Sequence, residues 1–150
     1  MPSITVTDDL ARIELDVVHR WLSTDAYWAL GRSRETVEAA ARGSRSFGAL
    51  RADGLGRDEL VGYARVVTDG VTFAWLCDVY VAPDARGEGV GSALVQAVLD
   101  ALAPMGLTRV MLATGDAHAL YERHGFAAPA HPEWLMALRG AGAPLEVPMR

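Results

Sequence analysis

The chain has 150 residues, 51% of them hydrophobic and 22% charged, which suits a globular core and not a disordered chain. A formal net charge of -5, with Arg and Lys scattered along the chain, argues against a nucleic-acid surface. Cys77 is the only cysteine, so no disulfide can form within the chain; the N-terminus lacks a leader pattern and no apolar run could span a membrane. The expectation is one soluble, cytoplasmic domain over residues 1–150, with no membrane or nucleic-acid partner.

Residues 4–7 alternate as a short first strand. Thr7-Asp8-Asp9 offers helix caps before Leu10, Ile13, Val17 and Leu22, which share one helical face. Residues 23–32 are irregular and aromatic; Ser33 then caps a second helix that ends at Gly43. Three strands follow at residues 46–52, 60–68 and 71–81, with a turn at Asp53-Gly54 and a two-residue hairpin signal at Asp69-Gly70. Phe73 and Trp75 alternate within the third and are expected in the core, as is Cys77. Val90, Leu94, Val98 and Leu102 mark a helix over residues 89–103, stopped by Pro104-Met105-Gly106. A strand at residues 109–113, a helix at 116–124 ended by Gly125 and a last strand at 134–138 complete the order β-α-α-β-β-β-α-β-α-β. This is an α/β (α+β) arrangement in which hairpins join the middle strands and helical crossovers the later ones. The tail at residues 145–150 reads as a loose end or a docked strand, and an edge strand near the C-terminus is compatible with a homodimer.

The chemistry concentrates where the strand ending near Val81 meets the helix starting near Gly89. A helix N-terminus offers unpaired N–H groups and partial positive charge, and Gly87, Gly89 and Gly91 let a phosphate approach them. Arg86 adds a cation. No lysine stands where a nucleotide-triphosphate loop needs one, and Ser92 occupies the third-glycine position of a dinucleotide fingerprint.

The pattern that fits is Arg86-Gly87-Glu88-Gly89-Val90-Gly91, preceded by Val81-Ala82-Pro83 and followed by Ser92-Ala93-Leu94. It resembles the acyl-CoA signature of the GNAT superfamily of N-acyltransferases. Ala117-His118-Ala119-Leu120-Tyr121-Glu122-Arg123-His124-Gly125-Phe126 resembles the second conserved block of that family, in register with the first. The motif-level match covers mainly residues 60–138. The resemblance implies a mixed, mostly antiparallel sheet flanked by about four helices. It further implies an N-acetyltransferase that moves an acetyl group from acetyl-CoA to a primary amine by direct attack in a ternary complex.

The resemblance also implies roles. Val79, Tyr80 and Val81 would hold the pantetheine arm; Arg86, Gly87, Glu88, Gly89, Val90, Gly91 and Ser92 would take the pyrophosphate. Tyr121 aligns with the tyrosine that protonates the departing thiolate. The family often carries an asparagine seven positions before that tyrosine; here Thr114 stands there, to bond the pantetheine or cap the helix. Asp78 is the candidate base, with a structural ion pair as the equal alternative, because a carboxylate in an apolar strand needs a partner. Tyr27, Trp28 and Arg32 resemble the acceptor cluster of small bacterial-type stand-alone members, and His118 is a further candidate for acceptor contact. The acceptor would be a small-molecule or peptide amine.

Rival functions fare worse. Ser44-Arg45-Ser46-Phe47-Gly48 misses the first glycine of a hydrolase nucleophile turn, and its helix-to-strand order is reversed. His19, His118, His124 and His131 lack zinc-ligand spacing, so no metal is expected. The alternative left standing is a non-catalytic acyl-CoA-binding sensor on the same fold.

Overall fold

A computed structural model describes residues 3–142. Five strands, β1 (Ile4–Thr7), β2 (Arg45–Ala52), β3 (Asp58–Thr68), β4 (Phe73–Val81) and β5 (Arg109–Met111), form one sheet in the order β1-β2-β3-β4-β5. The first three pairings are antiparallel and the β4–β5 pairing is parallel. The helices are α1 (Leu15–Asp25), α2 (Arg34–Arg42), α3 (Val90–Leu102) and α4 (His118–Glu122). The expected mixed architecture is therefore the observed one.

Helix α3 buries Val90, Leu94, Val95, Val98 and Leu102. It sits directly on Gly62 of β3, where a Cβ would lie 2.8 Å from Val90 Cγ1 and 3.0 Å from Leu94 Cδ1. On the other face Ser46 and Tyr63 meet α2: the Ser46 hydroxyl donates to the Ala41 carbonyl (3.0 Å) and shares a hydrogen bond with the Tyr63 hydroxyl (2.9 Å). Burial pushes the Tyr63 phenol up to about 12 despite that partner, so it stays neutral. Helix α1 covers the same face, with Trp21 stacked on Tyr80 at 5.4 Å. The sheet is thus sandwiched between α3 and the α1–α2 pair, and its core side chains reach both layers.

Local details depart from the sequence expectations. Asp9 caps only a 3₁₀ turn at Leu10–Arg12, its Oδ1 accepting from the Ala11 amide, and α1 begins later, at Leu15. Residues 69–72 form a wider connection than a two-residue hairpin. Asp69 organises it by accepting from the amides of Val71, Thr72 and Phe73 and from the Thr72 hydroxyl. In β4 the buried positions are Ala74, Leu76, Asp78 and Tyr80; Phe73 is exposed and Trp75 and Cys77 are only half-buried. Alternation is the right signal, but the even-numbered residues, Tyr80 among them, face the core, whereas Phe73 and Trp75 do not.

The strand expected at residues 134–138 is absent. Pro132–Trp134 is a 3₁₀ turn with His131 stacked on Trp134 at 3.9 Å. Trp134, Met136 and Leu138 are 72%, 96% and 92% exposed. Apolar composition suggests a strand, but a strand needs a ladder partner, and among the described residues β5 pairs only with β4. The tail at residues 145–150 lies outside the described residues.

Candidate active site

The site begins with a split in the sheet. Parallel pairing between β4 and β5 runs from Phe73–Arg109 to Trp75–Met111 and stops there. Three residues later β4 is bulged: Tyr63 pairs with Tyr80 and Arg65 with Cys77, so Asp78 and Val79 together oppose Ala64. Asp78 is the only described non-glycine residue in the left-handed region, at φ +53°. That conformation is strained for an L-residue, though less so for aspartate.

Three donors hold it there. The Trp28 indole donates to Asp78 Oδ1 (2.8 Å), while Arg32 Nη1 (2.8 Å) and Arg65 Nε (2.9 Å) both donate to Oδ2. The Asp78 side chain is 3% exposed. Burial alone would raise its carboxyl, but Arg32, Arg65 and the Trp28 hydrogen bond outweigh that and leave it below the usual carboxylate range. Both oxygens are engaged and the group is more acidic than a free aspartate. This is the chemistry of a structural counter-ion and the opposite of what a base needs. Arg65 also donates to the Ser44 hydroxyl (3.1 Å).

Beyond the bulge the split widens into a cleft of about 390 Å³. One wall is β4, through Val79, Tyr80 and Val81; the opposite wall is Thr114, Ala117 and Tyr121. Tyr27 and Trp28, packed edge to face at 5.0 Å, close a third side. Tyr121 is buried and meets Phe126 edge-on at 5.9 Å. Thr114 Oγ1 accepts from the amides of Ala117 (3.0 Å) and Asp116 (3.4 Å), so it caps the approach to α4 as well as lining the cleft. The Tyr27 hydroxyl accepts from the Gly115 amide at 2.9 Å, tying the segment between α1 and α2 to the far wall.

At the mouth, Arg86 lies over the Tyr80 ring at 5.6 Å and donates to the Val81 carbonyl (3.2 Å) and to Asp25 (3.1 Å). The Tyr80 hydroxyl donates to the same Asp25 oxygen at 2.6 Å. Burial and the neighbouring Asp25 raise Tyr80 to about 12, while the bonds from Tyr80 and Arg86 lower Asp25. From Arg86 the chain runs into Gly87 and Gly89, at φ +85° and +83°, and Gly89 stands as the N-cap of α3. Among the described residues no side chain caps this helix end, which leaves the first amides of Val90, Gly91 and Ser92 at the positive end of the helix dipole. The Ser92 hydroxyl shares a 2.8 Å hydrogen bond with His124 Nε2, tying this first turn to the end of α4.

The structure thus gathers Tyr27, Trp28, Val79, Tyr80, Val81, Arg86, Thr114 and Tyr121 around one cleft, with residues 87–92 continuing from its mouth. Asp78 and Arg32 sit behind the cleft wall, joined to it through Trp28. His118 is exposed at the start of α4 and does not line the cleft. Asp25 and Arg65 were not anticipated. Arg65 carried a readable signal, an inward-facing cation between Ala64 and Val66, whereas Asp25 at the end of α1 carried none. Among the described residues no group of His, Cys, Asp and Glu could hold a metal ion, and no helix is long and apolar enough to cross a membrane.

A split sheet whose open strand leads into a glycine-entered helix start defines a class of fold whose backbone amides suit a phosphate-bearing ligand. Comparison with known proteins gives that class its family. The sequence model described as Acetyltransferase (GNAT) family matches residues 15–126. A crystal structure from Xanthomonas campestris pv. campestris, assigned to the GNAT acetyltransferases, is 40% identical with a TM-score of 0.84, covering 95% of this chain and 96% of that one. A protein of Gibberella zeae assigned as an acetyltransferase is 34% identical over 134 residues, 79% of this chain and 76% of its own length. A Mycobacterium tuberculosis protein crystallised with CoA shares the fold at 21% identity and a TM-score of 0.68, covering 95% of this chain and 77% of that one. The chain belongs to the GNAT acetyltransferase family and is an acyl-CoA-dependent N-acyltransferase.

Proposed function

We propose that the chain transfers an acetyl group from acetyl-CoA to a primary amine on a small molecule or peptide, by direct attack with both substrates bound. The observation that carries this reading is the split of β4 from β5, which opens a backbone-lined slot leading to the uncapped end of α3. The residues fit an elongated acyl-CoA. In this reading the pantetheine lies along Val79, Tyr80 and Val81 like an added strand, with Thr114 on the facing wall. The phosphates meet the amides of Gly87, Glu88, Gly89, Val90, Gly91 and Ser92, with Arg86 beside them. The CoA complex of the Mycobacterium tuberculosis protein of the same fold supports the assignment of the ligand.

The chain's own groups then supply the chemistry. A β4 amide polarises the acyl carbonyl as the amine nitrogen attacks its carbon. As the carbon–sulfur bond breaks, the Tyr121 hydroxyl gives its proton to the thiolate. Asp78 acts here as the anchor of the β4 bulge, because its oxygens are already taken by Trp28, Arg32 and Arg65. Asp116 is the cleft-lining carboxylate whose oxygens carry no hydrogen bond among the described residues, so it receives the amine's proton, directly or through water. The acceptor enters beside Tyr27 and Trp28, with His118 at the rim and Arg32 behind.

Release of free CoA thiol on incubation with acetyl-CoA and a broad amine panel tests the reading. Thermal stabilisation by acetyl-CoA without turnover on any amine would favour the sensor alternative, since a ligand selective for the folded state raises its melting temperature. Within an active enzyme, Tyr121→Phe is expected to lower kcat by about 10²-fold with a smaller change in acetyl-CoA affinity. Wild-type turnover in that variant across pH would remove the acid from this residue.

A further inference from the structure

The proposed phosphate loop has an electrostatic flaw of its own. Residues 82–89 carry Asp84 and Glu88 against the single cation Arg86, a net negative charge where an anionic donor must dock. Glu88 stands between Gly87 and Gly89, the two left-handed glycines that shape the loop. A carboxylate there, free to turn toward the helix end, would compete with phosphate for the same amides.

The loop's carboxylates turn the other way, toward Arg51 at the far end of β2. Arg51 Nη1 donates to both Glu88 oxygens, at 3.0 and 3.3 Å, and Nη2 donates to Asp84 Oδ2 at 3.2 Å and to Glu59 Oε1 at 2.6 Å. Its side chain is only 17% exposed and Glu88 24%, so this pair is shielded from solvent more than a surface ion pair is. The Glu59 hydrogen bond first, then those of Asp84 and Glu88, hold the guanidinium firmly charged. Glu59 faces Arg51 across the β2–β3 ladder, so the arginine is aimed from rigid sheet.

Resting on the acyl-CoA reading above, we infer that Arg51 is a positioning residue for the donor: it draws Glu88 and Asp84 away from the α3 N-terminus and cancels their charge, leaving the loop amides to the phosphates. It touches the loop's side chains and not the reacting atoms. Its effect should therefore appear in donor binding more than in turnover, and only toward donors that carry phosphate.

The test compares wild type with Arg51→Met and with Arg51→Met/Glu88→Gln, after circular dichroism has confirmed that each is folded. Arg51→Met is expected to weaken acetyl-CoA binding by about tenfold, most at low salt, with KM rising more than kcat falls. Glu88→Gln in that background is expected to recover most of the loss. The defect should be smaller with the acetyl thioester of N-acetylcysteamine, which has no phosphate. Unchanged acetyl-CoA affinity in Arg51→Met, an equal loss with the phosphate-free thioester, or absence of rescue by Glu88→Gln would each overturn the inference. If Arg51→Met does not fold, Arg51→Gln takes its place, alone and with Glu88→Gln, and the same outcomes support or overturn the inference. Wild type failing to bind acetyl-CoA at all would be a different result, which sinks the donor assignment first and the role of Arg51 with it.

Discussion

Asp78 shows how one residue can link strain, charge and the shape of a site. Its φ of +53° is kept because Trp28, Arg32 and Arg65 all donate to its carboxylate. Asp78→Asn would leave two partly buried guanidiniums without a counter-charge and is expected to destabilise the fold by about 3–5 kcal/mol. Denaturant titration checks the magnitude. The sign with pH follows from linkage: the folded-state pKa lies below the unfolded value, so this contribution is complete above about pH 4 and fades as the pH falls through the folded pKa. The gap in stability between wild type and Asp78→Asn should therefore narrow below about pH 4. A gap that stays constant down to acid unfolding would show that the ion pairs are not its source. The sequence alone raised the ion-pair reading only as one of two options, because Trp28 and Arg32 lie far from Asp78 along the chain.

The elements depend on two glycines in different ways. Gly62 is a matter of space: its missing side chain lets α3 rest on β3, and a Cβ would also stand 3.2 Å from the Tyr80 carbonyl. Gly62→Ala is expected to cost about 1–3 kcal/mol by overpacking, seen as a lower melting temperature. An unchanged melting temperature would mean that α3 can shift without cost. Gly89 is instead a matter of backbone, since among the described residues nothing lies within 4 Å of where its Cβ would be but its φ is +83°. Gly89→Val adds left-handed strain of about 1–2 kcal/mol and crowds the amides of the helix start. Acetyl-CoA affinity by calorimetry should fall at least about tenfold, and an unchanged dissociation constant would move the phosphates elsewhere. Gly89 could be read from the sequence because a glycine run before a periodic helix has local meaning. Gly62 could not, because its reason is a helix whose first residue lies 28 positions later.

Across the whole molecule, what was legible follows the range of the interaction. Helices α2 and α3, the three central strands and the glycine-entered turn were legible because caps, periodicity and turn residues act locally. The last expected strand failed because Trp134, Leu135, Met136 and Leu138 look like a strand in composition, while strand formation depends on an edge that only the folded sheet defines. Likewise Asp25 and Arg51 join the site through contacts with residues 61 and 37 positions away, which no short window can show. Local signals therefore mark the cleft-facing backbone, whereas the side chains that support it are set by long-range contacts.

The split between β4 and β5 also has a consequence in time. A strand that ends its ladder at Trp75–Met111 yet continues to Val81 exposes main-chain amides to solvent along the cleft. Those amides should trade hydrogen for deuterium quickly in the free protein, while the β3-facing amides of the same strand stay slow. Saturating acetyl-CoA should slow the cleft-facing set alone, dividing one strand into two exchange classes whose difference reports occupancy. Uniform slowing along β4 would instead indicate general rigidification, without an added strand in the gap.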